Sequence, residues 1–202
     1  MKRLLFALII FTGCIRPVKP VAKVLPDDAP VINVRMVRID PLFSRQLIQD
    51  RIDVAVALYS EHGVKIVVKE IVDLDKPEWV DVSAEDLPGM RAWSKTDIQT
   101  VYCVRSITYQ GKSVGGLGYT RPINCLILSL NSCVDVYAHE QGHGCGLQHL
   151  DIDNNTMNGV VCRGYGTSFN LEQGEKLRNC ATNKAFAFSS TVNEPFICLE
   201  KQ

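Results

Sequence analysis

Hydrophobic and polar positions alternate over 31–40 (VINVRMVRID), with Ile32, Val34 and Met36 against Val31, Asn33 and Arg35. A period of two predicts a strand. From Pro41 to His62 the apolar positions Leu47, Ile48, Ile52, Val56, Leu58 and Tyr59 recur mostly at three and four residues. That spacing predicts a helix, ended by Gly63. A β-branched strand over 64–74 (VKIVVKEIVDL) follows. The stretch 75–98 reads as a polar loop region holding Pro77, Pro88 and Gly89 together with Trp79 and Trp93. A third strand is predicted over 99–109 (QTVYCVRSITY) and a buried one at 125–130 (CLILSL), with a glycine-rich segment between them. Ser132 and Asp135 have the spacing of a capping box and predict a helix start near Cys133. Residues 151–166 read as irregular loop, and 171–181 (LEQGEKLRNCA) as a last helix, weakened by Gly174. Strand, helix, strand and then more strands predict a mostly parallel, twisted sheet with a crossover helix.

Composition narrows the class without naming a function. The chain has 202 residues, 46% of them hydrophobic and 22% charged, which suits one globular domain. Lys+Arg and Asp+Glu both number 22, so no basic field points to nucleic acid.

The N-terminus changes the picture more. MKRLLFALIIFTGC starts with two basic residues, continues with an apolar run from Leu4 to Phe11 and ends at Cys14. The run is short for a membrane span and suits a secretory signal. Small residues before a cysteine resemble the lipobox of bacterial lipoproteins, which implies lipidation at Cys14 and a membrane anchor. An ordinary secretory signal cut slightly later is the other reading, and both export the chain to the cell envelope or beyond. Residues 15–30 are proline-rich and read as an extended tether. Seven further cysteines lie between Cys103 and Cys198 with no C-x-x-C pair, a pattern that favours disulfides over a zinc knot. Seven is odd, so at most three bridges form within one chain and at least one thiol is left over, and the pairing does not follow from spacing.

The chemistry concentrates at 139–149, HEQGHGCGLQH, which holds three of the chain's four histidines. His139 and His143 are four apart, about 400° round a helix, so both imidazoles share one face. Two neutral imidazoles so placed can hold one divalent ion. Glu140 lies about 100° from His139 and suits a general base acting on water near that ion. Gly146 can end the helix and let the chain turn back with His149 as third ligand. Three ligands leave a fourth position open, as catalytic zinc sites do. Cys145 falls about 200° from His143 and faces away, into core or a disulfide.

H-E-x-x-H-x-x-G-x-x-H, with Met157 eight residues after His149, resembles the metzincin zinc peptidases. The resemblance covers the chain from about residue 31. It implies an α+β, zincin-like fold: a mostly parallel sheet with an antiparallel edge strand, an active-site helix and a small irregular C-terminal subdomain. The catalytic domain would then be 31–202, with an upper part to 146 and a lower part from 147. It implies Zn2+ on His139, His143 and His149, Glu140 as general base, and Met157 beneath the metal. The edge strand would carry Gly116, Leu117, Gly118 and Tyr119 and pair with an extended peptide or protein substrate. Val160, Val161 and Tyr165 would line an apolar slot. Leu150 and Gly159 stand where well-known subfamilies carry other residues, so the subfamily is open. The expected activity is zinc-dependent endopeptidase; the alternative is a zinc-containing binding or adaptor lipoprotein without turnover.

Overall fold

The central strands are buried on both faces, and this decides the architecture. All six residues of β4 (Gln99–Val104) and all five of β7 (Cys125–Ser129) are buried, as strands covered on both sides must be. The computed structural model describes residues 20–95, 98–119, 125–159, 168–183 and 196–199. β1 (Val31–Arg38) pairs in parallel with β2 (Lys65–Asp73) and β4, and β4 pairs in parallel with β7. β6 (Lys112–Tyr119) runs antiparallel to β7 and to β5 (Ser106–Tyr109), and the two-residue β3 (Asp81–Val82) pairs in parallel with β5. The path is β2-β1-β4-β7-β6-β5-β3.

One face of the sheet carries α1 (Arg45–Ser60), α3 (Val136–Gly144) and α4 (Leu171–Asn183) over a core that includes Ile32, Val34, Met36, Leu126 and Leu128. The other face packs Val37, Tyr102, Leu117 and Ile127 under Trp79 and Met90. α1 begins where predicted, with Ser44 Oγ accepting from Leu47 N at 3.2 Å.

Three expectations need correction. The stretch 75–98 is not all loop: it forms a 3-10 turn at Pro77–Trp79, β3 and α2 (Leu87–Trp93). Pro77 and Pro88 each sit in the first turn of their element, where a missing N–H costs nothing. The third strand is two strands, broken at Arg105, whose guanidinium reaches the buried Asp40 at 2.9 Å. The open edge at β6 is not open. β8 (Phe196–Leu199) lies antiparallel along its other side, opposite Val114–Gly118. The antiparallel strand is present, but its backbone groups there are already paired.

Candidate active site

α3 stands on two supports from α1. Arg51, 2% exposed, donates to the carbonyls of Leu130 at 3.1 Å and Ser132 at 2.6 Å, pinning the connection between β7 and α3. Tyr59, fully buried, donates its hydroxyl to Ala138 O at 3.2 Å, one residue before His139. The predicted capping box does not form. Ser132 Oγ donates to Ser129 O at 2.6 Å, so the helix starts later, with Asp135 at the N-cap and no side-chain cap bond. Its C-terminal end is as predicted: Gly146 takes φ 82°, a conformation costly for residues with a Cβ, and the chain reverses.

The reversal brings the three histidines together. His149 Nε2 lies 3.2 Å from His139 Nε2 and 3.1 Å from His143 Nε2. All three nitrogens fall within 4.8 Å of one another. Tetrahedral nitrogen ligands at about 2.0–2.1 Å from zinc stand about 3.3 Å apart, so this donor set fits one such ion. The far side of each helical imidazole is fixed as well. Nδ1 of His139 meets Thr156 O at 2.6 Å, and Nδ1 of His143 meets Leu147 O at 2.8 Å. A carbonyl only accepts, so both Nδ1 atoms carry the proton and both Nε2 lone pairs face the common point. Burial favours the neutral form: it pushes His139 down to about 3 and lowers His143 in the same direction. His149 is exposed and marks the side on which the site opens.

Glu140 is fully buried beside this cluster, with its carboxylate against β6. A Cβ on Gly116 would fall 2.6 Å from Glu140 Oε1, and one on Gly118 would fall 3.0 Å from Oε2. The two glycines therefore lie under the carboxylate and make room for it. Leu117, between them, points into the opposite core with Tyr102 and Ile127. Tyr119 pairs through its backbone with Cys125. Val160, Val161, Tyr165 and Cys14 lie outside the described residues.

Met157 is fully buried below α3, and its Sδ occupies the space that a Cβ on Gly142 would need. Gly159 lies against His149, its hypothetical Cβ 3.4 Å from Nδ1. Sequence reasoning passed over Gly142, although a glycine inside a helix, costing about 0.5–1 kcal/mol, is itself a signal. It also passed over Asn155 and Gln173, whose amides bond each other at 2.9 and 3.1 Å below the methionine turn. The pattern Asn170-x-x-Gln173 at the start of α4 was the available clue. Asn170 and Gln173 cap one another reciprocally, each bond 2.9 Å.

Neither a protein-family model nor a curated protein sequence matches the chain. Solved structures do. Metalloproteinase-II from Bacteroides fragilis superposes with a TM-score of 0.59 at 14% identity over 82% of this chain. The chain spans 58% of that protein's length. Archaemetzincin from Methanopyrus kandleri superposes with a TM-score of 0.52 at 17% identity, covering 77% of this chain and 98% of that one. The fold is zincin-like. Within it, the convergent imidazoles, the adjacent carboxylate and the buried methionine sit around α3, the helix that carries H-E-x-x-H.

Proposed function

We propose that this chain is a zinc-dependent endopeptidase of the metzincin type. The observation that carries the reading is the meeting of three Nε2 atoms beside the buried Glu140 carboxylate. His139, His143 and His149 would hold the ion, which when bound supplies a Lewis acid able to polarise a carbonyl and lower the pKa of water. The chain's own contribution is positional. The backbone carbonyls of Thr156 and Leu147 hold two imidazoles in one tautomer. Gly116 and Gly118 seat the Glu140 carboxylate, which takes a proton from the attacking water and passes it to the leaving amine. The placement of Met157 below α3 supports the metzincin reading over other zincins.

Substrates in this reading are peptides or proteins in extended form. Val160, Val161 and Tyr165 directly follow the methionine turn, and we assign them the apolar slot that favours cleavage before a medium or large apolar residue. We place the mature chain in the cell envelope, anchored through Cys14. The Cys145–Cys180 disulfide supports an oxidising compartment. Mass spectrometry of the mature N-terminus tests the anchor: diacylglycerol on Cys14 is expected, and an N-terminus beyond Cys14 overturns it.

A second reading has one observation in its favour. β8 fills the side of β6 on which an added peptide strand would pair, as it would in a zinc-containing binding protein without turnover. Incubation with a mixed peptide library, with and without chelator, separates the two. Chelator-sensitive cleavage, lost about 10²–10⁴-fold in Glu140→Ala with zinc retained, supports the peptidase. Intact peptides in the presence of zinc-loaded protein support the binding protein.

A further inference from the structure

Thr156 and Met157 share a peptide unit whose two polar ends are both committed. Its carbonyl, on Thr156, accepts from His139 Nδ1 at 2.6 Å. Its N–H, on Met157, donates to Asn155 Oδ1 at 2.8 Å. The unit is planar and rigid, so fixing the N–H end aims the carbonyl end. Asn155 is itself held. Its Nδ2 donates to Gln173 Oε1 at 2.9 Å, and its Oδ1 accepts from Gln173 Nε2 at 3.1 Å. Both side chains are buried, at 6% and 7% exposure, so solvent does not replace these bonds cheaply. Gln173 in turn is locked at the start of α4 by its reciprocal bonds with Asn170. The turn is tied a second time through Thr156 N to Ser168 O at 2.8 Å and Ser168 N to Asn154 O at 2.9 Å.

We propose that Asn155 and Gln173 are positioning residues for the metal centre. Through the Thr156–Met157 peptide they set the direction of His139 and hence the aim of its Nε2. Hydrogen bonds in series also polarise one another, so an accepted Met157 N–H makes the Thr156 carbonyl a better partner for the imidazole. A stable α4 is thereby coupled to ligand geometry on α3. No part of H-E-x-x-H-x-x-G-x-x-H contains this device. Partners that orient metal-bound histidines typically carry 10–100-fold in affinity. The amide pair acts one bond further out, so the low end is expected.

The inference rests on the zinc reading above, and its test separates the two. Zinc affinity is measured by chelator competition, and thermal unfolding is followed with and without zinc. Asn155→Leu removes the acceptor for Met157 N–H and is expected to weaken zinc binding about ten-fold. Asn155→Asp keeps an oxygen for Met157 N–H but turns the other toward Gln173 Oε1, so it should recover part of that loss, which a merely structural role does not require. Gln173→Glu keeps an acceptor for Asn155 but no donor, and should weaken zinc binding several-fold even if Asn155→Leu fails to fold. Ser94→Ala serves as control, because Ser94 Oγ bonds Met90 O at 2.9 Å far from the histidines. It should lower the melting temperature and leave zinc affinity unchanged. Wild-type protein that takes up no zinc overturns the zinc reading. Zinc-binding wild type with unchanged affinity in folded Asn155→Leu or Gln173→Glu overturns the positioning role alone.

Discussion

Gly116 on β6 and Glu140 on α3 share one space: a Cβ on Gly116 would stand 2.6 Å from Glu140 Oε1, closer than real Cβ atoms come to any neighbour. The carboxylate ends a flexible side chain, so an added methyl can be relieved by Glu140 turning aside. The penalty then falls on catalysis more than on folding. Gly116→Ala is expected to keep its zinc and most of its stability while turnover drops by about 10²–10⁴, the general-base factor. Steady-state kinetics beside elemental analysis check this. Wild-type turnover in that variant would mean that the added methyl does not displace the Glu140 carboxylate from its working position.

Gly142 and Met157 form a second pair of this kind. Replacing a mid-helix glycine by alanine ordinarily stabilises by about 0.5–1 kcal/mol. Here the new methyl enters space already held by the buried Met157 Sδ, and overpacking costs about 1–3 kcal/mol. The second effect is larger, so Gly142→Ala should lose about 1 kcal/mol net in denaturant unfolding. Added to Met157→Ala, which leaves a cavity there, Gly142→Ala should no longer cost stability, because its methyl enters vacated space. A Gly142→Ala protein more stable than wild type would mean that helix propensity, not Met157, governs this position.

Local periodicity made β1, α1, β2, β7 and α4 legible, because each buries one face or both and its apolar spacing records that. The zinc motif was legible for the same reason: His139, His143 and Gly146 act within three helical turns of one another. What escaped was written in distant residues. Asn155 meets Gln173 across 18 positions, and no local pattern joins them. β8 covers β6 from near the far end of the chain, which glycines at 116 and 118 give no means of foreseeing. Gly116 and Gly118 are expected on a strand that pairs with substrate, yet they clear space for Glu140. Ser132 looked like a helix cap, but its hydroxyl had a nearer acceptor in Ser129 O. Gly174 looked like a flaw in α4, and it accommodates the ring of His62, the fourth histidine, which also packs edge-on to Phe169.

The histidines set an acid limit on the metal-free protein. Burial holds His139 near 3 and lowers His143, against about 6.5 in an unfolded chain. The unfolded state therefore takes up protons first. Their contribution to stability is fully present above about pH 6.5 and is lost as pH falls toward about 3. Chelated protein should show a melting temperature that declines steadily across that window. His139→Gln should flatten the decline. A melting temperature independent of pH between 6.5 and 4 would contradict buried, neutral imidazoles.

The thiols set the opposite limit. Cys103 and Cys125 are free and buried, and burial pushes both up to about 12. The thiolate is the reactive form, and an unfolded cysteine reaches it near about pH 8.5. Native protein at pH 8 should therefore leave Cys103 and Cys125 unlabelled by iodoacetamide. Denatured but unreduced protein should label both. Cys145 and Cys180, bonded to each other, and Cys133, also in a disulfide, should label only after reduction. Because the folded values are raised, the thiols' contribution to stability is whole below about pH 8.5 and shrinks as pH climbs toward about 12. Tyr59 and Tyr137 are raised too by burial, and they deepen the loss above about pH 10. The melting temperature should thus fall on the alkaline side in two stages, and Cys103→Ala with Cys125→Ala should remove the first while leaving the second. Peptide mapping by mass spectrometry reads the labelling. Label on Cys103 or Cys125 in native protein, or no alkaline decline before pH 10, would mean that these strands open to solvent far more readily than their burial implies.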